Sequence, residues 1–172
     1  KEIGEQKDDT SMYVIAEKKY MEVLEDARAI DYGKVELFVQ TALAQLATVR
    51  GNPKKAIRIY EEALASAKET NDNQVLRVTY LNLGVNYLKL NNTRKAEEYL
   101  LQAKPLIEES QNPSDMASLY KNLAELYTEK GEFKAANEML LKQIQLENNM
   151  ASENLQQSIS DFEVKYETEK KE

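Results

Sequence analysis

The chain has 172 residues, 42% hydrophobic and 31% charged, which is ordinary material for a globular protein or a short repeat array. Its net charge of −7 makes nucleic acid an unfavourable direct partner, because a phosphate-binding surface would have to be a local exception. Cysteine and histidine are both absent, which excludes disulfides, thiolate or imidazole metal sites, and any nucleophile that depends on a histidine base. No cofactor is implied. The missing cysteines do not fix a compartment, since a helical array needs no staples. No run of 18 apolar residues occurs, so neither a membrane span nor a signal peptide is expected within the segment. The chain starts inside a sequence that already reads as structured and ends in a charged helical run, and we read it as a piece of a longer polypeptide.

The sequence repeats with a period of forty. Ala44, Gly84 and Ala124 fall into line, as do Ala56, Ala96 and Ala136; Leu43, Leu83 and Leu123; and Tyr60, Leu100 and Leu140. Such self-similarity marks a repeat array whose units bury their apolar faces against their neighbours. Taken in chain order, Tyr13, Ala16, Tyr20 and Val23 stand forty residues before Pro53, Ala56, Tyr60 and Ala63. Residues from about Ser11 to Ile30 are therefore expected to form the second helix of an incomplete unit spanning 1–32, with a truncated first helix around Ile3 and Gly4. Three full units follow, at about 33–72, 73–112 and 113–150. Breaker-rich triplets separate them: Asp31-Tyr32-Gly33, Asn71-Asp72-Asn73 and Gln111-Asn112-Pro113.

Each unit contains two stretches of apolar residues at helical spacing. In the middle unit the first runs from about Asn73 to Leu90 through Val75, Val78, Leu83 and Tyr87, and the second begins near Thr93 with Ala96, Leu100 and Ala103. Asn52 and Asn92 are suitable N-caps, the former followed by proline at the first helical position, and Gly51 and Gly131 mark the equivalent turns. Helices joined by such short turns must lie antiparallel, with the small residues where they approach most closely. Pro105 interrupts the second helix of the middle unit, which predicts a kink or early termination near Lys104. In the segment 151–172, Leu155, Ile159, Phe162 and Tyr166 recur at steps of 4, 3 and 4. That segment is expected to be a separate capping or connecting helix, with Leu155 and Ile159 packed on the helix that carries Leu140 and Ile144.

These residues resemble the tetratricopeptide repeat. Tyr80-x-x-Leu83-Gly84-x-x-Tyr87 followed by Ala96 and Ala103 is one copy; Tyr120-x-x-Leu123-Ala124-x-x-Tyr127, Gly131, Phe133 and Ala136 is a second. Leu43, Ala44, Gly51, Ala56, Tyr60 and Ala63 form a weaker third, with Gln40 and Ala47 in the aromatic places. The forty-residue unit is longer than the common one of about 34, as in the extended repeats of peptide-receptor regulators and kinesin light chain. The resemblance implies an all-α fold: a right-handed superhelical solenoid of antiparallel helix pairs over 1–150, with the C-terminal helix over 151–172. The tail from Ser160 to Glu172 also resembles the linker that follows such repeats in bacterial membrane-bound sensors, where it leads to a transmembrane helix and then a LuxR-type or histidine-kinase output. That likeness implies the periplasmic side of an inner membrane, and a cytoplasmic place if it fails. Membrane contact would then come through a segment outside this chain, and the C-terminal helix would be a site for pairing of two copies.

By the same resemblance, the first helices line a groove that holds a protein or peptide ligand. The residues assigned to it are Phe38, Thr41, Gln45 and Thr48, then Val78, Leu81, Asn82, Val85 and Lys89, then Ser118, Lys121, Asn122, Glu125 and Glu129. Asn82 and Asn122 stand out because an amide side chain pairs with both N–H and C=O of an extended backbone; their plain role is as solvated or intramolecularly bonded polar residues. Gln45, Val85 and Glu125 occupy places where asparagine or a basic residue would serve a C-terminal carboxylate, so chaperone-type carboxylate recognition is not expected. The tyrosines at 80, 87, 120 and 127 read as core. Acidic pairs such as Glu61-Glu62 and Glu108-Glu109 read as solvated faces with no spacing that makes a catalytic pocket. A non-enzymatic binding domain is therefore expected, either the sensor region of a bacterial signalling or transcription regulator or a constitutive scaffold. A phosphatase-like regulator, as in some extended-repeat relatives, lacks its chemistry here.

Overall fold

The computed structural model describes residues 2–30 and 32–170, and the side chains of 12–30, 32–166 and 170. The described residues form helices and turns with no strand. In order the helices are α1 (Glu2–Ala29), α2 (Gly33–Val49), α3 (Pro53–Thr70), α4 (Asn73–Lys89), α5 (Thr93–Ser110), α6 (Pro113–Glu129) and α7 (Phe133–Glu169). The starts of α2, α4 and α6, and those of α3, α5 and α7, are each forty residues apart, so the sequence period is the helix-pair period. Two compact units result, Lys1–Glu109 and Ser110–Glu172.

The turns explain the regularity. Left-handed backbone occurs at Gly51 (φ 71°), Asn71 (52°), Asn91 (54°), Gln111 (50°) and Gly131 (75°), one residue in every twenty. Glycine and asparagine tolerate this conformation best. After four of them the next N–H reaches back to close the helix end: Asn52 to the Ala47 carbonyl at 2.9 Å, Asp72 to Ala67 at 3.1 Å, Asn92 to Tyr87 at 2.9 Å and Glu132 to Tyr127 at 2.8 Å. The residue that ends one helix in this way is followed by the cap of the next. Asn52 Oδ1 accepts from Lys55 N, Asn92 from Lys95 N and Asn112 from Asp115 N, while Asp72 accepts from both Gln74 N and Val75 N. Orphan donors at each helix start are thus satisfied within the turn that created them.

Within the first unit α3 packs between α2 and α4. Leu37, Ala63 and Ala67 form a buried cluster with Val75 and Leu76 against it. Closest approach is made by small residues: Ala44, Ala56 and Ala96 are fully buried, and a Cβ built on Gly84 would lie 2.6 Å from Leu100 Cγ and Cδ2. Tyr80 and Tyr87 are buried on α4, with Tyr99 stacked on Tyr87 at 5.5 Å between centroids. Tyr60 is fully buried, and burial pushes its phenol well above the ordinary range. In the second unit α6 packs on α7, with Lys142 over the Tyr120 ring.

Three expectations are corrected. First, α1 is one helix from Glu2, with no turn near Ser11. Ser11-Met12-Tyr13 stands where the later unit has Gly51-Asn52-Pro53, so the left-handed residue, cap and proline that would stop a helix are all missing; the side chains of Ile3 and Gly4 lie outside the described residues. Second, of the kink or early termination expected at Pro105, the termination does not occur, and α5 runs through to Ser110. Proline removes the bond to the Leu101 carbonyl, and both residues are exposed, so that carbonyl is left to water. Third, α7 is continuous from Phe133 to Glu169. Leu155 and Ile159 therefore sit on the same helix as Leu140 and Ile144 and do not pack on it. Asn148-Asn149 is a weak helix-forming point near the expected boundary at 150, and without a following glycine or proline it does not break the helix.

Candidate functional site

Helix α4 is covered on three sides. Thr79, Tyr80, Leu81, Leu83, Gly84, Asn86, Tyr87 and Leu88 are all buried. Beyond its first turn, from Val78 on, what stays open is the narrow stripe of Val78, Asn82, Val85 and Lys89, at steps of 4, 3 and 4, half-buried for the first three and exposed at the lysine. The matching stripe on the neighbouring α2 is Phe38, Ala42, Gln45 and Val49, with Phe38 68% and Val49 59% exposed. Side by side these two stripes make an apolar strip with an amide on each helix and Lys89 at one end. Such a surface suits an extended segment carrying apolar side chains.

Of the residues assigned from the sequence, Phe38, Gln45 and Lys89 are exposed, and Val78, Asn82 and Val85 are half-buried. Leu81 departs from the assignment: at 8% exposed it belongs to the core. Thr41 donates to its own Phe38 carbonyl at 2.7 Å. Thr48 turns sideways, accepting a hydrogen bond from Asn86 Nδ2 at 2.9 Å. In the second unit Ser118, Lys121, Glu125 and Glu129 are exposed on α6 and Asn122 is half-buried.

Asn82 and Asn122 share one geometry. Asn82 Nδ2 donates to the Val78 carbonyl at 2.9 Å and Asn122 Nδ2 to the Ser118 carbonyl at 2.6 Å, each one turn back in its own helix. One amide hydrogen is used; Oδ1 and the second N–H remain for a ligand backbone. The bond holds each side chain against its helix, which lowers the ordering cost of binding.

Asn86 escaped the sequence reading. It is fully buried, and its Nδ2 lies 2.9 Å from Thr48 Oγ1 and 2.8 Å from the Asn82 carbonyl. The signal was present in the register, where Leu46, Asn86 and Leu126 align and a polar residue replaces leucine in the middle copy. Glu17 was also missed. Its carboxylate takes hydrogen bonds from Arg50 and Lys55. The Lys55 hydrogen bond holds that carboxyl below its ordinary value, against an opposing effect of burial and with Arg50 adding. The tyrosine face is polar at its rim: Tyr87 donates to Glu61 Oε1 at 3.0 Å and accepts from Lys95 Nζ at 3.0 Å. Glu61 is thus a hydrogen-bonded partner of the core rather than a bare solvated residue. No cluster of metal-ligating side chains occurs among the described residues, and no described helix is long and apolar enough to cross a membrane.

Comparison with known proteins agrees with this architecture. Residues 37–109 and 75–146 match the family model described as tetratricopeptide repeat. The solved TPR domain of Arabidopsis FLU is similar at 22% identity and TM-score 0.61, over 67% of this chain and 98% of that one. BtubC (BKLC) from P. vanneervenii is similar at 19% identity and TM-score 0.70, over 82% of this chain and 59% of that one, so the match spans somewhat over half of BtubC. No curated protein matches the chain. With two overlapping family matches that together cover residues 37–146, the chain belongs to the tetratricopeptide repeat family, a non-enzymatic scaffold for protein interaction.

Proposed function

We propose that this chain is a peptide-binding domain that holds an extended protein segment along the open stripes of α2 and α4. The observation that carries the reading is that from Val78 to Lys89 the accessible surface of α4 narrows to Val78, Asn82, Val85 and Lys89, with every other residue from Thr79 to Leu88 buried. A stripe of two valines, one oriented amide and a lysine takes apolar side chains, one or two main-chain hydrogen bonds and an acidic group near Lys89. Gln45 serves as the amide of α2, and within the second unit Asn122, Lys121 and Glu125 on α6 offer a like set of groups to a ligand. At the level of the whole protein, we place this domain as the sensor or interaction region of a bacterial signalling or transcription regulator, with α7 as its outgoing element. That step rests on the likeness of the tail to sensor linkers and on the length of α7, 37 residues against 18 in α3 and α5.

The test is selection of peptides from a random display library on the intact chain, followed by titration of the best binders. Val85→Glu should weaken binding at least tenfold, and Asn82→Ala/Asn122→Ala should weaken it while leaving the melting curve within error, as expected for accessible side chains. Selected peptides that bind Val85→Glu and the double variant as tightly as the parent chain would overturn the groove assignment. A ligand that binds but alters neither exchange nor mobility in α7 would favour the constitutive scaffold.

A further inference from the structure

The face of α7 turned away from α6 is apolar along most of its length. Leu140, Leu141 and Ile144 are 42, 59 and 51% exposed, and Leu155, Ile159 and Phe162 are 63, 52 and 72% exposed. On a straight helix these residues fall within one sector about 100° wide. From Phe133 to Tyr166 the stripe is about 50 Å long at 1.5 Å per residue. Scattered exposed leucines are ordinary, whereas two apolar patches on one helix face, Leu140 to Ile144 and Leu155 to Tyr166, mark a surface that something covers.

The register indicates what kind of element fits the first half. Leu140 and Ile144 stand eighty residues after Tyr60 and Leu64, which are 0 and 7% exposed in α3. Helix α3 achieves that burial because α2 packs on one side and α4 on the other. Helix α4, joined to α3 by a short turn, runs antiparallel to it. The first half of α7 thus carries a face of the type that takes an antiparallel helix, and that face is open.

The second half of α7 supplies such a helix in a second copy. Two pairs of the stripe are symmetric about the point between Ala151 and Ser152: Leu141 and Phe162 are equidistant from it, as are Ile144 and Ile159. Two copies laid antiparallel about that point bring Leu141 of one against Phe162 of the other and Ile144 against Ile159, twice over. Small side chains lie at the crossing, where the backbones are closest. We propose that the chain forms a two-fold symmetric dimer in which the second half of each α7 covers the open repeat face on the first half of the other, an isologous contact. A strip about 50 Å long and one helix diameter wide, ~10 Å, removes on the order of 1,000 Å² in total, the lower bound for a stable interface. Parallel pairing through Leu155 to Tyr166 would leave Leu140 and Ile144 in water. This proposal does not depend on the peptide-binding reading, since it uses neither α2 nor α4.

The experiment is sedimentation equilibrium of the intact chain, combined with single cysteines introduced into a sequence that has none. The expected result is a dimer at tens of micromolar. Ser152→Cys should oxidise rapidly to a cross-linked dimer because the two copies of this position meet at the crossing. Phe162→Cys should not cross-link with itself but should do so when mixed with Leu141→Cys chains. Ile159→Glu should raise the dissociation constant at least tenfold while retaining the repeat melt, since Ile159 makes no core contact within one chain. A monomer at tens of micromolar overturns the proposal. So do a dimer that cross-links through Phe162→Cys alone, which is parallel, and a dimer that Ile159→Glu leaves unchanged.

Discussion

The side-chain amide of Asn86 donates to the Thr48 hydroxyl at 2.9 Å, joining α4 to α2 by a polar bond in an otherwise apolar contact. Asn86 is fully buried, and the Thr48 proton is itself within reach of the Ala44 carbonyl at 3.0 Å and Asn86 Oδ1 at 3.2 Å. The bond ties the first helices of adjacent repeats, whose open stripes form the candidate groove, at a fixed offset along their axes.

Removing one partner of this pair should cost more than removing both. Thr48→Val leaves a buried amide short of a partner, at roughly 1–3 kcal/mol. Asn86→Leu fills the site with the residue found at Leu46 and Leu126, but sets an apolar group against the Thr48 hydroxyl. The double variant Thr48→Val/Asn86→Leu should recover much of either loss, with a coupling of about 1 kcal/mol or more. Urea unfolding of the four chains measures it; strictly additive losses would show that the pair is not coupled.

Gly84 tests the packing of the middle repeat. An added Cβ would sit 2.6 Å from Leu100 Cγ and Cδ2, and Leu100, fully buried, has no solvent side to swing into. Alanine improves intrinsic helix propensity by up to about 1 kcal/mol, yet overpacking costs ~1–3 kcal/mol, so the clash wins. Gly84→Ala should lower the melting temperature and Gly84→Leu should lower it further. An unchanged melt for Gly84→Leu would refute the contact.

Much of this was legible in the sequence because the repeat is carried by residues with strong local physics. Small residues at 44, 84 and 124, caps at Asn52 and Asn92, and left-handed positions at Gly51 and Gly131 each specify a backbone event without outside help, and all recur at fixed spacing. The ends were less legible because they depend on missing signals. Nothing in Ser11-Met12-Tyr13 or around Met150 terminates a helix, and the periodic template suggested breaks there that the residues do not encode. Early termination at Pro105 was over-read for the complementary reason: Leu101 and Pro105 are exposed, where the lost bond matters least. Side-chain direction within α4 was also beyond the pattern, so Leu81 was assigned to the groove and Asn86 overlooked, although the Leu46–Asn86–Leu126 register pointed to it.

Gln111 holds left-handed backbone at φ 50°, where its counterparts are glycine or asparagine. For a residue with a Cβ that conformation costs about 1–2 kcal/mol, while glycine gives back about 0.5–1 kcal/mol through the greater freedom of its unfolded chain. Gln111→Gly should therefore stabilise by up to about 1 kcal/mol. Gly51→Ala, at φ 71°, should destabilise by a similar amount. Opposite signs in thermal melts are the expected outcome, and a loss for Gln111→Gly would mean that the turn relies on the glutamine side chain.

Docking of α1 should weaken in acid, through Glu17. Its carboxylate bridges Lys55 and Arg50, one at the start of α3 and the other at the end of α2, and its pKa lies below the ordinary value of 4.5, chiefly through the Lys55 hydrogen bond. A carboxyl depressed in the folded state favours folding while it is ionised. Its contribution is fully present above pH 4.5 and is lost as pH falls from there through the lower folded value. Amide exchange in α1 around Glu17 should accelerate over that window relative to exchange in α3, corrected for intrinsic rates. Glu17→Gln should speed exchange in α1 at neutral pH and flatten its acid dependence, because the amide keeps the size of the side chain and removes the titrating charge. If α1 loosens with the same acid profile in Glu17→Gln as in the parent chain, the bridge from Glu17 to Lys55 and Arg50 is not what holds the first helix to the array.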